Sequence, residues 1–180
     1  MNTKKLAIKA IEEFLLSDRQ CMLLTGTHQF NKHKLVMAIL DQQFKNNLIL
    51  FRTNSMQNLT NRDFLGFAGV KTQPKAGQTI RLENNYYQID SFNNRGTWDK
   101  TSNDIDFAIV YPIDALCRNH NYESIKDLLQ YKNTQKIFLV SWTDNEPYDT
   151  DFNKLYSQHV IYDAEEEDLH YHNRVLGLED

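Results

Sequence analysis

The chain has 180 residues, of which 41% are hydrophobic and 24% are charged, a balance that suits one globular domain able to close its own core. Its formal net charge of −4 argues against a general electrostatic attraction to nucleic acid. Because no apolar run approaches the roughly 18 residues of a membrane span and the N-terminus lacks a signal-peptide pattern, the sequence predicts a cytoplasmic protein outside the membrane.

The first quarter of the chain predicts a helix, a strand and a second helix. Apolar residues recur at helical spacing before Ser17, which indicates an amphipathic helix that ends there. The apolar run 21–24 stops at Thr25 and Gly26, as expected of a buried strand that leads into a turn. A second helical pattern follows over about 32–44.

Four further apolar runs predict buried strands. They cover residues 47–51, 106–111, 136–141 and 159–162. Because these runs are apolar on both faces and helical patterns such as 124–132 separate them, we expect βαβ crossovers and a parallel sheet covered by helices. The predicted fold class is therefore α/β, a three-layer parallel-sheet domain that comprises residues 1–180.

One stretch departs from the βαβ pattern. Residues 78–83 and 86–90 have the character of strands, and Asn84 and Asn85 between them can adopt the positive φ values of a tight turn. We expect an antiparallel β-hairpin there, within an insertion at about 53–98 rather than in a second domain.

A phosphate-loop pattern lies between the first strand and the second helix. Aligned to G-x-x-x-x-G-K-[ST], Gly26 and Lys32 match, whereas Asn31 replaces the second glycine and His33 replaces the serine or threonine. In this strand–loop–helix context the chain resembles the P-loop NTPase superfamily, with a degenerate Walker A motif. The resemblance implies a nucleotide-binding site for ATP or GTP. The loop residues implied in that site are Gly26, Thr27, His28, Asn31, Lys32 and His33.

The physical demands of a phosphate loop can be met in part by these residues. Asparagine tolerates the left-handed conformation better than most residues, so Asn31 could keep the loop open with its N–H groups facing phosphate. Lys32 would neutralise phosphate charge, aided by the positive end of the following helix. The alternative is a plain strand-to-helix turn at Gly26, with Asn31 as an N-cap and Lys32 as an exposed residue of the first helical turn.

Magnesium chemistry lacks its usual residues. The hydroxyl that His33 replaces binds magnesium in the resembling family, and imidazole is a poor ligand for that hard cation. The family also has an aspartate at the end of a later apolar strand, where this chain has Tyr111. Asp114 and Thr143 are the candidates for a metal organiser or polar sensor, and an N-cap is the alternative role of Asp114.

Two other pairs of residues lie on predicted loops. Asp144 and Asn145 follow the predicted strand 136–141, at the sheet edge where open α/β folds bind ligands. Arg95 and Trp98 follow the hairpin, and such a pair can stack on a base or nucleotide ring. Alternatively, Trp98 anchors the hairpin to the core.

These patterns predict a degenerate P-loop NTPase-like protein that binds nucleotide without efficient hydrolysis. A second hypothesis is a non-catalytic interaction module, whose insertion at 53–98 binds a protein partner, a second copy of the chain or, less in keeping with the net charge, a nucleic acid. A third hypothesis is an active ATPase or nucleotide kinase that uses Asp114 with Thr27 or Thr143 as atypical metal ligands.

Overall fold

A mixed β-sheet organises the protein in the computed structural model, which describes residues 2–143 and 148–178. The strands are β1 Cys21–Thr25, β2 Leu48–Thr53, β3 Ile80–Leu82, β4 Asn85–Ser91, β5 Asp104–Tyr111, β6 Asn133–Val140 and β7 Gln158–Ile161. The helices are α1 Lys4–Leu16, α2 Lys32–Gln43, α3 Asp114–Asn119, α4 Glu123–Gln130 and α5 Leu169–Val175. Short 3-10 turns cover Met56–Thr60, Gly66–Ala68, Arg95–Lys100 and Phe152–Lys154.

The strand order explains how distant segments of the chain meet. Within the described residues the sheet has the order β3-β4-β2-β5-β6-β1-β7, and every neighbouring pair is parallel except β3 and β4. The α/β prediction with an antiparallel hairpin is therefore confirmed. Because β4 pairs in parallel with β2, the hairpin extends the sheet.

Helices cover both faces of the sheet, as a parallel sheet requires. On one face, buried side chains of α1 and α2, such as Ile11 and Val36, pack with alternate strand residues such as Phe138. On the other face, α3 and α4 contribute Leu116 and Ile125 to a second core cluster. This arrangement is the predicted three-layer sandwich, since central strands such as β5 and β6 alternate their side chains between the two clusters.

The hairpin turn lies one residue earlier than predicted. Leu82 pairs with Asn85, so Glu83 and Asn84 form the turn, and Glu83 takes the positive φ of 51°. Asn85 is instead a buried residue of β4, and its side-chain oxygen accepts the N–H of Asn47 at 3.1 Å. A contact with the start of the neighbouring strand thus opposes the local preference of two asparagines for the turn.

A buried ion-pair network joins β2, β4 and α4, and no local pattern in the sequence predicts it. The fully buried Arg52 guanidinium donates to both carboxylate oxygens of Asp90, at 2.7 and 2.8 Å, and to Asp127 at 2.8 Å. It also lies 4.8 Å from the centroid of the Trp98 ring, whose Nε1 donates to the Ser91 carbonyl at 2.8 Å. Trp98 is therefore a core residue, in line with its anchoring role.

Candidate functional site

The candidate site lies where β1, β5 and β6 end at the same edge of the sheet. Gly26 follows β1 and has a φ of 117°, a conformation that disfavours side chains. A Cβ atom at Gly26 would come within 2.1 Å of the Tyr162 carbonyl oxygen, so the glycine also allows a close backbone approach. The loop that begins here, Gly26–His33, is called the phosphate loop below.

The phosphate loop is tightened by its own hydrogen bonds. The amide of Gln29 donates to the Thr27 carbonyl at 2.8 Å, and that of Asn31 donates to the His28 carbonyl at 3.3 Å. Asn31 has φ −113° and ψ −9°, so the expected left-handed conformation is wrong. Asn31 precedes α2 as an N-cap would, but its side chain caps no helical N–H and its Nδ2 lies 3.3 Å from His28 Nε2.

Lys32 is fully buried inside the phosphate loop, so its interpretation as an exposed first-turn residue is wrong. Its ammonium donates to the Gly26 carbonyl and, at 3.1 Å, to the Trp142 carbonyl that follows β6. The lysine thus bridges the start of the loop and the end of a second strand. This places a buried positive charge between the two, where the two carbonyl oxygens offset part of the cost of its burial.

The two departures from the family pattern contact each other. The His33 imidazole stacks on the Tyr111 ring with centroids 4.0 Å apart and planes 21° apart, and both residues are buried. His33 Nε2 lies 3.0 Å from the Phe64 carbonyl oxygen, an arrangement in which Nε2 carries the hydrogen. Burial lowers the pKa of His33 from its ordinary 6.5 to about 3, and burial raises the pKa of Tyr111. Both rings are therefore neutral at physiological pH.

Asp114 and Thr143, predicted separately, lie together in the structure. The Asp114 carboxylate accepts the amide of Trp142 at 2.6 Å, and the amide and hydroxyl of Thr143 at 2.9 and 3.0 Å. Asp114 is itself the first residue of α3, so its predicted N-cap position is wrong. Its carboxylate instead holds the turn after β6. Asp144 and Asn145 lie outside the described residues.

The fold, more than the sequence, relates this chain to known proteins. Neither a protein-family model nor a curated protein sequence matches the chain. Among solved structures, the large terminase from a thermophilic bacteriophage matches 90% of this chain with a TM-score of 0.55 and 10% identity. The chain has a P-loop NTPase-like fold. A structure of that terminase in complex with ADP also matches 90% of the chain, with a TM-score of 0.50 and 11% identity.

The likeness covers a limited part of the terminase. This chain spans 46% and 45% of the two terminase chains, less than half of their length. At 10% and 11% identity, the likeness shows that the two proteins share a fold and nothing about a shared activity. Separately, none of the helices in the described part of the chain combines the length and the apolar character that a membrane span needs.

Residues after β7 contact the phosphate loop, and little in the sequence indicates this. The acidic run that includes Glu167 is typical of a solvated surface, yet Glu167 Oε2 lies 2.7 Å from His28 Nε2. Asp163 and His172 contact Thr27, although 136 and 145 residues separate them from it in the sequence. Among the described residues, no group of three or more His, Cys, Asp or Glu side chains is placed to hold a metal ion.

Proposed function

We propose that this protein is a P-loop NTPase-like domain that binds nucleotide weakly, if the loop opens, and does not hydrolyse it efficiently. The observation that carries the proposal is the stack of His33 on Tyr111. These two residues stand where the resembling family has its magnesium-binding hydroxyl and aspartate. Two neutral rings in contact replace two oxygen ligands.

The chemistry of the two rings explains why magnesium does not fit. Magnesium prefers oxygen ligands in a near-octahedral arrangement and keeps several of its waters. The His33 imidazole is a nitrogen ligand with its Nε2 directed at the Phe64 carbonyl, and burial keeps the Tyr111 phenol protonated by raising its pKa. Asp114 offers a carboxylate nearby, but both of its oxygens already accept hydrogen bonds from Trp142 and Thr143.

Weak nucleotide binding is supported by the position of Lys32 and by two buried donors at the same edge. Lys32 bridges the phosphate loop and the end of β6. Ser141 Oγ and Trp142 Nε1 are buried and have no hydrogen-bond partner within the part of the chain that the structure describes. Since buried polar groups normally find partners, these donors suit a polar ligand or ordered water. ATP or GTP is the proposed ligand class, and the structure of a similar terminase in complex with ADP supports that choice.

The experiment compares the wild type with Lys32→Ala, and uses Lys34→Ala as a matched control because Lys34 lies on α2 with its ammonium over Phe67. We expect phosphate release from ATP or GTP to be the same in all three proteins. Calorimetry should detect weak nucleotide binding in the wild type and Lys34→Ala and none in Lys32→Ala. Phosphate release that is lost in Lys32→Ala would show that the protein hydrolyses nucleotide and would refute that part of the proposal. If the wild type binds no nucleotide at millimolar concentration, the proposed nucleotide binding is wrong.

A second candidate function is a non-catalytic interaction module, favoured by a groove between α2 and the hairpin. The groove has a volume of about 630 Å³ and is lined by apolar and charged side chains, including the 38%-exposed Phe67. A protein partner or a second copy of the chain would bind there. Sedimentation tests the second copy: a dimer that Phe67→Ser dissociates supports it, with exposed Tyr131→Ser as the control. A monomeric wild type at high concentration would contradict self-association.

A further inference from the structure

Residues 162–172, which we call the clasp, run from the end of β7 into α5 and contact the phosphate loop. Asp163 Oδ1 accepts the amide of Thr27 at 2.9 Å. The hydroxyl of Thr27 accepts the amide of Ala164 at 3.0 Å and lies 2.7 Å from His172 Nδ1. One loop residue is therefore held through both its backbone and its side chain.

The next two loop residues are held by other parts of the clasp. The His28 amide donates to the Tyr162 carbonyl at 3.4 Å, and its ring lies 4.7 Å from the Tyr162 ring. His28 Nε2 lies 2.7 Å from Glu167 Oε2, and the Tyr171 hydroxyl donates to Gln29 Oε1 at 3.0 Å. These contacts occupy backbone and side-chain groups on the part of the loop that precedes Lys32.

The clasp also places negative charge beside a loop suited to anions. Asp163 is itself fixed, because its Oδ2 accepts the side-chain amide of Asn2 at 2.7 Å. Glu167 accepts a hydrogen bond from the Tyr162 hydroxyl at 3.0 Å. Two carboxylates held against the loop oppose an arriving phosphate, since like charges repel most strongly where water is partly excluded.

The opposite side of the loop is incompletely satisfied. Ser141 Oγ and Trp142 Nε1 are buried donors without a partner in the described part of the chain, and the Trp142 carbonyl accepts from Lys32. The structure thus combines a side that contacts the clasp at Thr27, His28 and Gln29 with unpartnered donors at the end of β6. Buried donors without a partner are uncommon, so these two groups are available to a ligand that reaches the end of β6.

We propose that the clasp is an autoinhibitory contact that holds the phosphate loop closed and must release before a phosphate group can enter. This regulation rests on the proposed function, because it concerns the same loop. Release frees the Thr27 amide and removes two carboxylates from beside Thr27 and His28. A signal or partner that draws the clasp, including Asp163 and Glu167, away from the loop would therefore switch the domain to its phosphate-binding state.

Calorimetry with inorganic pyrophosphate, in the absence of magnesium, tests the proposal without relying on base recognition or hydrolysis. The test variant is Asp163→Asn/Glu167→Gln, which removes both carboxylate charges at the loop. The matched control is Glu165→Gln/Glu166→Gln, which makes the same charge change in the same segment but outside the contacts to the loop. Adding Lys32→Ala to the test variant locates any gain at the loop.

We expect the test variant to bind pyrophosphate about tenfold more tightly than the wild type, the control variant to change by less than about threefold, and Lys32→Ala to abolish the gain. Equal affinities of the test and control variants for pyrophosphate would overturn the autoinhibitory role of the clasp. If the test variant does not fold, Glu167→Gln alone serves, because that side chain is 37% exposed. It should increase hydrogen exchange at the His28 amide and tighten binding, and unchanged exchange and binding would overturn the proposal. Lys32-dependent hydrolysis by the wild type would instead refute only the inefficient hydrolysis in the proposed function, and would leave phosphate binding and the clasp untouched.

Discussion

The buried His33 predicts a specific pH dependence of stability, which His33→Phe should remove. The phenylalanine keeps a ring against Tyr111 but cannot take up a proton. In the native protein His33 stays neutral down to about pH 3, whereas in the unfolded chain it is protonated below about pH 6.5. Between these values the unfolded state binds more protons, so the wild type loses stability as the pH falls.

The magnitude follows from the linkage relation, in which one proton changes the free energy of unfolding by about 1.4 kcal/mol for each pH unit. From pH 6.5 to about pH 4.5 the wild type should therefore lose about 2 to 3 kcal/mol more than His33→Phe. The variant also carries a pH-independent cost of about 1 to 3 kcal/mol, because the Phe64 carbonyl loses its partner.

Urea unfolding at several pH values between these limits measures the difference. Tyr111→Phe is the control, since it keeps the imidazole buried under a ring and should retain the slope of the wild type. Identical slopes in the wild type and His33→Phe would refute the neutral, buried imidazole, and with it the argument that the magnesium position is filled.

Three further predictions concern stability. Arg52→Ala leaves Asp90 buried without its partner and should lower the free energy of unfolding by about 3 to 5 kcal/mol in urea, whereas Arg52→Met/Asp90→Leu should lie closer to the wild type. A double variant as unstable as Arg52→Ala would contradict this. Gly26→Ala should lower the melting temperature, because its Cβ would lie 2.1 Å from the Tyr162 carbonyl oxygen at a φ of 117°; an unchanged melting temperature would show that the loop adapts. Hydrogen bonds lower the pKa of Asp149 from 3.8 to about 2, and the one from the Phe152 backbone amide has the largest effect. Asp149→Asn should therefore be less stable than the wild type at neutral pH. This difference in stability should shrink as the pH falls from 3.8 to about 2, because the wild-type carboxylate becomes protonated. A stability difference that does not change with pH would refute the lowered pKa of Asp149.

The predictions from sequence succeed where neighbouring residues carry the information. Runs such as 136–141 are apolar on both faces, and only a strand buried between two helical layers satisfies that pattern. Contacts within the candidate site are not predicted. The sequence indicates His33 and Tyr111 as two separate losses, and Asp114 and Thr143 as two separate candidates, whereas each pair is in contact in the structure.

The errors have one physical cause, which is that tertiary contacts oppose local preferences. Asn85 prefers a turn but is drawn into β4 by its hydrogen bond to the Asn47 amide. Asparagine can adopt the left-handed conformation. Asn31 nevertheless has a φ of −113°, and in that conformation its backbone N–H donates a hydrogen bond to the His28 carbonyl. The alternative interpretation places Lys32 in solvent, whereas the side chain is buried and two carbonyl oxygens that follow different strands offset the cost of its burial.

The sequence by itself determines the α/β architecture, the strand–loop–helix at Gly26–His33 and the residue types at positions 33 and 111, which differ from those of the resembling family. These properties depend on the periodicity of apolar residues and on residue identity at fixed spacing. Only the tertiary structure decides whether the phosphate loop is open. The parallel sheet places β7 beside β1, and this brings Asp163 to the amide of Thr27 across 136 residues of sequence. No local pattern encodes that contact, because it exists only when both ends of the chain are packed on the same sheet.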